Sequence, residues 1–275
     1  MMILLRPLKK RSSVGRFKTA TAIAIVLCCL CAPCALAKHI AQNAKASSNP
    51  ILTAQLDWPV SSLVEAGIQP EAMRLYSQAV GELRRGQLGE AEKDARRAGE
   101  LDATFADAEA LAATAALSQR RFARACEEAG SATRINADDE KAWVILATAD
   151  NYLAEYDDAI DALQHVREVH WTTWQVAYQW ARAEAGLNNA AQTLEWANRA
   201  ALSAPSGFAP LHLLRASALL AAKRNGQAAD ELETYLELLS RNAPERNGLT
   251  RELARIRSLP QTPTGEVAEY NALRN

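Results

Sequence analysis

Residues 140–166 read EKAWVILATADNYLAEYDDAIDALQHV, and this stretch decides the fold. It divides into two segments, with Trp143, Leu146 and Ala147 in the first and Tyr156, Ala159, Leu163 and Val166 in the second. Apolar residues three and four apart share one face of a helix, so each segment reads as an α-helix with one side to bury. Stepping back 34 positions from Ala159, Leu163 and Val166 gives Ala125, Ala129 and Ala132, and a further 34 gives Ala91, Ala95 and Ala98. Stepping forward by the same interval gives Thr193, Ala197 and Ala200. Leu88, Phe122 and Tyr156 keep the interval, as do Ala103, Ala137, Trp171 and Pro205. A fifth set, Ala228, Leu232 and Tyr235, is displaced by one extra residue.

A 34-residue period of paired helices resembles the tetratricopeptide repeat. The resemblance rests on Trp143, Leu146, Ala147, Tyr156, Ala159, Leu163 and Val166 in the third unit, Gly86 at the first inter-helix turn and Pro205 at the end of the fourth unit. Two positions depart from the family pattern: Ala112 stands where a large apolar residue is usual, and Thr193 replaces the usual small alanine. The resemblance covers about residues 69–241 and implies an all-α fold, an α-solenoid of about five helical hairpins. Alanine at a helix crossing lets two backbones approach closely, while Tyr or Phe fills the gap to the next hairpin. Glu245 to Leu259 is predicted to form a last helix, with Leu249, Leu253, Ile256 and Leu259 on one face, capping the open end of the array. The array with its cap spans residues 69–259, and residues 260–275, with Pro263 and Gly265, read as a loose tail.

The N-terminus is different in kind. Residues 1–18 hold Arg6, Lys9, Lys10, Arg11, Arg16 and Lys18 and no acidic residue, and an apolar run from Ala20 to Leu36 follows. The small-x-small triplet Ala35-Leu36-Ala37 closes it, so residues 1–37 read as a secretory signal peptide, with an uncleaved anchor as the alternative. The chain is therefore expected to be exported, to a periplasm or cell envelope or beyond. Residues 38–68, with Ser47-Ser48-Asn49-Pro50, Trp58-Pro59 and Gly67, read as a linker. Removing residues 1–37 takes away six of the 31 basic residues and leaves 25 against 32 acidic, a net charge of −7. An acidic chain without a dense basic cluster argues against nucleic acid as a partner. Four of the five cysteines also lie in that segment, so the remainder holds only Cys126, which reads as a small buried residue.

Few residues suggest chemistry. No phosphate-cradling loop, nucleophile elbow or H-E-x-x-H zinc helix is present. His165 and His170 lie five apart, which on a helix separates them by about 140°, and metal-binding helices prefer a spacing of three or four. No metal, cofactor or catalytic activity is expected. A protein or peptide partner is. Trp143, Tyr152, Tyr156, Trp171, Trp174, Tyr178, Trp180 and Trp196 crowd the third and fourth units. By resemblance, the first helices of such units line a concave groove. That places Lys141, Thr148 and Tyr152 of the third unit and Tyr178, Gln179 and Arg182 of the fourth in it, with Trp174 sharing the face of Tyr178. Exposed aromatics beside Arg and Gln suit the anchoring of a peptide segment. The clamp that some family members use for a C-terminal carboxylate is not matched, because only Lys141 fits it. The rival reading is an assembly subunit that uses its outer edges. The two differ in where exposed apolar area lies.

Overall fold

The computed structural model describes residues 67–171 and 173–260. The expected signal segment, most of the linker (residues 38–66) and the tail from residue 261 lie outside the described residues. Eleven α-helices run from Pro70 to Arg257, and no strand occurs among the described residues. They are α1 (Pro70–Arg84), α2 (Leu88–Leu101), α3 (Ala106–Ser118), α4 (Phe122–Ile135), α5 (Glu140–Leu153) and α6 (Tyr156–Leu163), then α7 (Trp174–Gly186), α8 (Ala190–Ala201), α9 (Ala209–Ala221), α10 (Asn225–Leu238) and α11 (Arg246–Arg257). Helices adjacent in sequence pack on one another, and consecutive odd-numbered helices also touch, as stacked hairpins require. Among the described residues no helix is long and apolar enough to cross a membrane.

The turns display the repeat most directly. Each hairpin reverses through one residue in the left-handed region: Gly86, Arg120, Ala154, Asn188 and Lys223, with φ of 74°, 63°, 64°, 62° and 60°. At each turn the next residue's N–H bonds back to a carbonyl of the preceding helix at 2.9 Å, from Gln87 to Glu82, Arg121 to Ala116, Glu155 to Asp150, Asn189 to Glu184 and Arg224 to Leu219. This bond closes the helix end in the manner of a Schellman cap. The intervals are 34, 34, 34 and 35, and the extra residue falls before the fifth unit, where the sequence displaces it. Only Gly86 adopts this conformation without steric penalty. Arg120, Ala154 and Lys223 carry a cost of about 1–2 kcal/mol, and Asn188 less, which the closing bond and the packing of both helices offset.

The recurring small residues sit where the hairpins cross. Ala91, Ala95, Ala98, Ala125, Ala129, Ala132, Ala159, Ala197, Ala200 and Ala228 are fully buried, as are Leu163 and Leu232. Thr193 is buried at its alanine position because its hydroxyl donates to the Asn189 carbonyl at 2.9 Å, which removes the penalty of burying it. Ala112 is fully buried within α3 and packs with Ala79 and Ala95 of the first unit, small residue against small residue. Tyr156 lies directly over Gly186 of the next unit, where even a methyl group would collide with its ring. Between the first two units Glu92, almost fully buried, accepts from Gln119, Arg121 and Arg124 at 2.7 Å each. At the far end α11 presses Leu249, Leu253 and Ile256 onto Leu220, Leu232, Tyr235 and Leu236, closing the core as a cap.

One element departs from expectation. The second helix of the third unit stops at Leu163 after 8 residues, whereas its counterparts run for 14, 14, 12 and 14. The chain then turns into a short 3-10 segment, Glu168–His170. His165 and His170 therefore do not share a helix. Tertiary contacts win here over helix propensity: the His165 ring stacks on Trp143 at 3.8 Å, and Trp171 Nε1 donates to the Val166 carbonyl at 2.8 Å. Arg167 and His170 both reach back to Glu140. β-branched Val166, Val169 and Thr173 add little resistance, because they are poor helix formers.

Candidate functional site

The first helices α1, α3, α5, α7 and α9 build one continuous face, on which residues 34 apart occupy equivalent places. Met73, Asp107, Lys141 and Gln175 form one row, Tyr76, Ala110, Val144 and Tyr178 a second, and Val80, Thr114, Thr148 and Arg182 a third. The small residues in the second and third rows bring the helices close, and the face fills in. Thr148 is 2% exposed and donates to the Val144 carbonyl at 2.7 Å. Gln179 is fully buried, and Asn151 Nδ2 donates to both its backbone carbonyl and its Oε1 at 3.1 Å. Trp174 and Tyr178 pack against Phe208 of the fifth unit, with ring centroids 4.9 and 5.0 Å away. Burial pushes the Tyr178 phenol well above its ordinary pKa.

These four side chains are core and not groove. The expectation of exposed aromatics at Trp174 and Tyr178, with Thr148 and Gln179 beside them, is corrected: Phe208 of the next repeat covers the two rings, and Asn151 engages Gln179. The sequence carries a signal for this, since Phe208 immediately precedes the first helix of its unit, the place that Phe105 holds in the second unit. Lys141, Tyr152 and Arg182 remain half-buried. Tyr152 stacks flat on Phe122 of the second unit at 4.3 Å, and the Arg182 guanidinium lies over the Tyr152 ring, 4.1 Å from its centroid. Phe122, Tyr152 and Arg182 thus form a ladder through three units, joined by stacking and a cation–π contact. Toward the first unit the face is acidic. Burial raises the pKa of Asp107 and of Asp139, which caps α5, and burial raises Tyr76 to about 12.

A second surface was missed from sequence. The large apolar residues left exposed include Leu101, Ile135, Val169, Leu202 and Leu238, at 41%, 37%, 71%, 84% and 42%. Each lies at the end of the second helix of its unit or in the segment that follows it, which places them along one side of the array; a sixth, Leu153 at 37%, ends α5 at the third hairpin turn. The 34-residue interval from Leu101 to Ile135 to Val169 is present in the sequence, and only burial distinguishes it from the core rows.

Near this edge, Glu140 joins the third unit's first helix to its irregular ending. It is buried, accepts from Arg167, and lies 2.5 Å from His170 Nδ1. Burial pushes its carboxyl up, but the hydrogen bonds from His170 and Arg167 outweigh this and hold it below the ordinary value of 4.5. A depressed carboxylate contributes stability that is complete above its unfolded pKa and is lost as pH falls through the folded one. Stability should therefore fall on acidification below pH 4.5 in wild type, and Glu140→Gln should flatten that acid limb in denaturant melts. An unchanged limb would remove Glu140 from the account.

No family model matches the chain, and no curated protein matches it. Solved structures do. MamA 41-end from Desulfovibrio magneticus RS-1 superimposes with a TM-score of 0.55 at 15% identity, over 62% of this chain and 97% of that one. YrrB, a TPR protein with an unusual peptide-binding site, superimposes with a TM-score of 0.54 at 15% identity, over 78% of this chain and all of the other. The fold is the tetratricopeptide-repeat solenoid. Five TPR hairpins and a capping helix account for every α-helix among the described residues.

Proposed function

We propose that this TPR solenoid is a non-catalytic protein-interaction scaffold that holds its partner along the outer edge marked by the second-helix ends. The carrying observation is that edge: exposed apolar residues at the second-helix ends of all five units, up to 84% exposed at Leu202, while Trp174 and Tyr178 of the first-helix face are buried. Exposed apolar residues aligned along a surface suit a protein partner, because contact removes them from water. The TPR likeness to YrrB supports protein binding as the class. Working outside the cytoplasm is part of the same proposal, supported by the basic residues 1–18, the apolar run from Ala20 to Leu36 and the triplet that ends it.

The first-helix face offers a second reading, capture of a peptide segment, which the half-buried Lys141, Tyr152 and Arg182 favour. Cross-linking in intact cells separates them. Val169→Glu with Leu202→Glu should abolish the cross-linked product while leaving stability within about 0.5 kcal/mol, since both positions are exposed. Lys141→Ala with Arg182→Ala should leave it intact. The reverse pattern would replace the edge with the groove, and mature protein retained in the cytoplasm would remove the location.

A further inference from the structure

Because the five turns are equivalent, the junctions between units can be compared residue by residue. At the first junction the carboxylate of Glu92 is clasped by Gln119, Arg121 and Arg124. One repeat later the place of Glu92 is taken by Cys126, and the places of Arg121 and Arg124 are taken by Glu155 and Asp158. The basic side of the clasp has become acidic. Cys126 Sγ lies 3.2 Å from Asp150 Oδ1, and the sulfur and one oxygen each from Asp150 and Glu155 fall within 4.8 Å of one another. Asp150 is 1% exposed, Cys126 half-buried and Glu155 exposed. The three come from α4, the last turn of α5 and the residue capping α6, so the hairpin turn itself assembles them.

The geometry points to a divalent-cation site of the zinc class at the junction of the second and third units, held by Cys126 Sγ and the carboxylates of Asp150 and Glu155. Around a tetrahedral zinc, with Zn–S of about 2.3 Å and Zn–O of about 2.1 Å, sulfur and oxygen stand about 3.5 Å apart. The Cys126–Asp150 pair is already within a few tenths of an ångström of that, and rotation of the exposed Glu155 side chain closes the rest. Calcium and magnesium are disfavoured, since they call for six or more oxygen ligands or several retained waters and do not select a thiol. The Cys126 thiol proton passes to solvent as the sulfur–metal bond forms, and the fourth position is left to water. This site stands independently of the scaffold reading.

Cobalt, which reports on thiolate ligation through a near-ultraviolet sulfur-to-metal band, tests it. The full chain is used with Cys28→Ser, Cys29→Ser, Cys31→Ser and Cys34→Ser, leaving Cys126 as the only thiol. One equivalent of cobalt should bind with that band and be displaced by zinc. Cys126→Ser should abolish the band, and Glu155→Gln, at an exposed position, should weaken cobalt binding about tenfold or more with the helical spectrum unchanged. Absence of the band, its survival in Cys126→Ser, or unchanged affinity in Glu155→Gln would overturn the site and leave only a thiol–carboxylate hydrogen bond.

Discussion

Tyr178→Ala should destabilise the protein by about 3–5 kcal/mol, the range for deleting a buried aromatic ring. The ring is 7% exposed and meets Phe208 edge-on at 5.0 Å, so its loss opens a cavity between the fourth and fifth units. The hydroxyl adds nothing that the alanine would recover. For a solenoid of this length the melting temperature should drop on the order of 10 °C. Arg182→Ala, one turn along the same helix, provides the contrast: it removes a partly exposed cation–π contact to Tyr152, worth about 0.5–2 kcal/mol. Thermal and denaturant melts followed by circular dichroism would measure both. A Tyr178→Ala protein as stable as wild type would show that this ring is not core, and would restore it to the groove.

Ala129→Leu should be nearly as damaging for the opposite reason. The residue is fully buried at a helix crossing, and three extra carbons must force α4 away from its neighbours. Overpacking of this kind costs about 1–3 kcal/mol, and more where backbone has to move. Glu127→Leu, on the exposed side of the same helix, should stay within about 0.5 kcal/mol of wild type. Ala197→Leu repeats the experiment two units away, at an equally buried position. The two substitutions share no partner, so their effects should add in the double variant. If Ala129→Leu and Glu127→Leu melt alike, the small residues are not seats for helix crossings.

What could be read from sequence and what could not follow from the range of the interactions involved. The alanine rows, the displaced fifth unit and the capping helix were legible because each is set by spacing within one chain segment. Even the departures at Ala112 and Thr193 fall where expected, and the structure supplies the reason each is tolerated. The early end of α6 was not legible. It depends on Trp143, Glu140 and Trp171 gripping the chain from elsewhere, and nothing in the segment Gln164–His170 resembles a helix stop signal such as Gly or Pro. The same is true of the surface. Tyr178 and Tyr152 look equally suited to a groove in sequence, yet Phe208 buries the first and Phe122 leaves the second half open. Nothing in the sequence sets Val169 and Leu202 apart from packed apolar residues, and only their exposure shows them to be available to a partner.

Local geometry at the turns carries this account, since equivalent hairpins require equivalent reversals. Backbone chemical shifts of the full chain in solution measure it most directly. They should place Gly86, Arg120, Ala154, Asn188 and Lys223 in the left-handed conformation, with helix ending at Leu163 in the third unit. Helical shifts running unbroken through any of those five residues would contradict it.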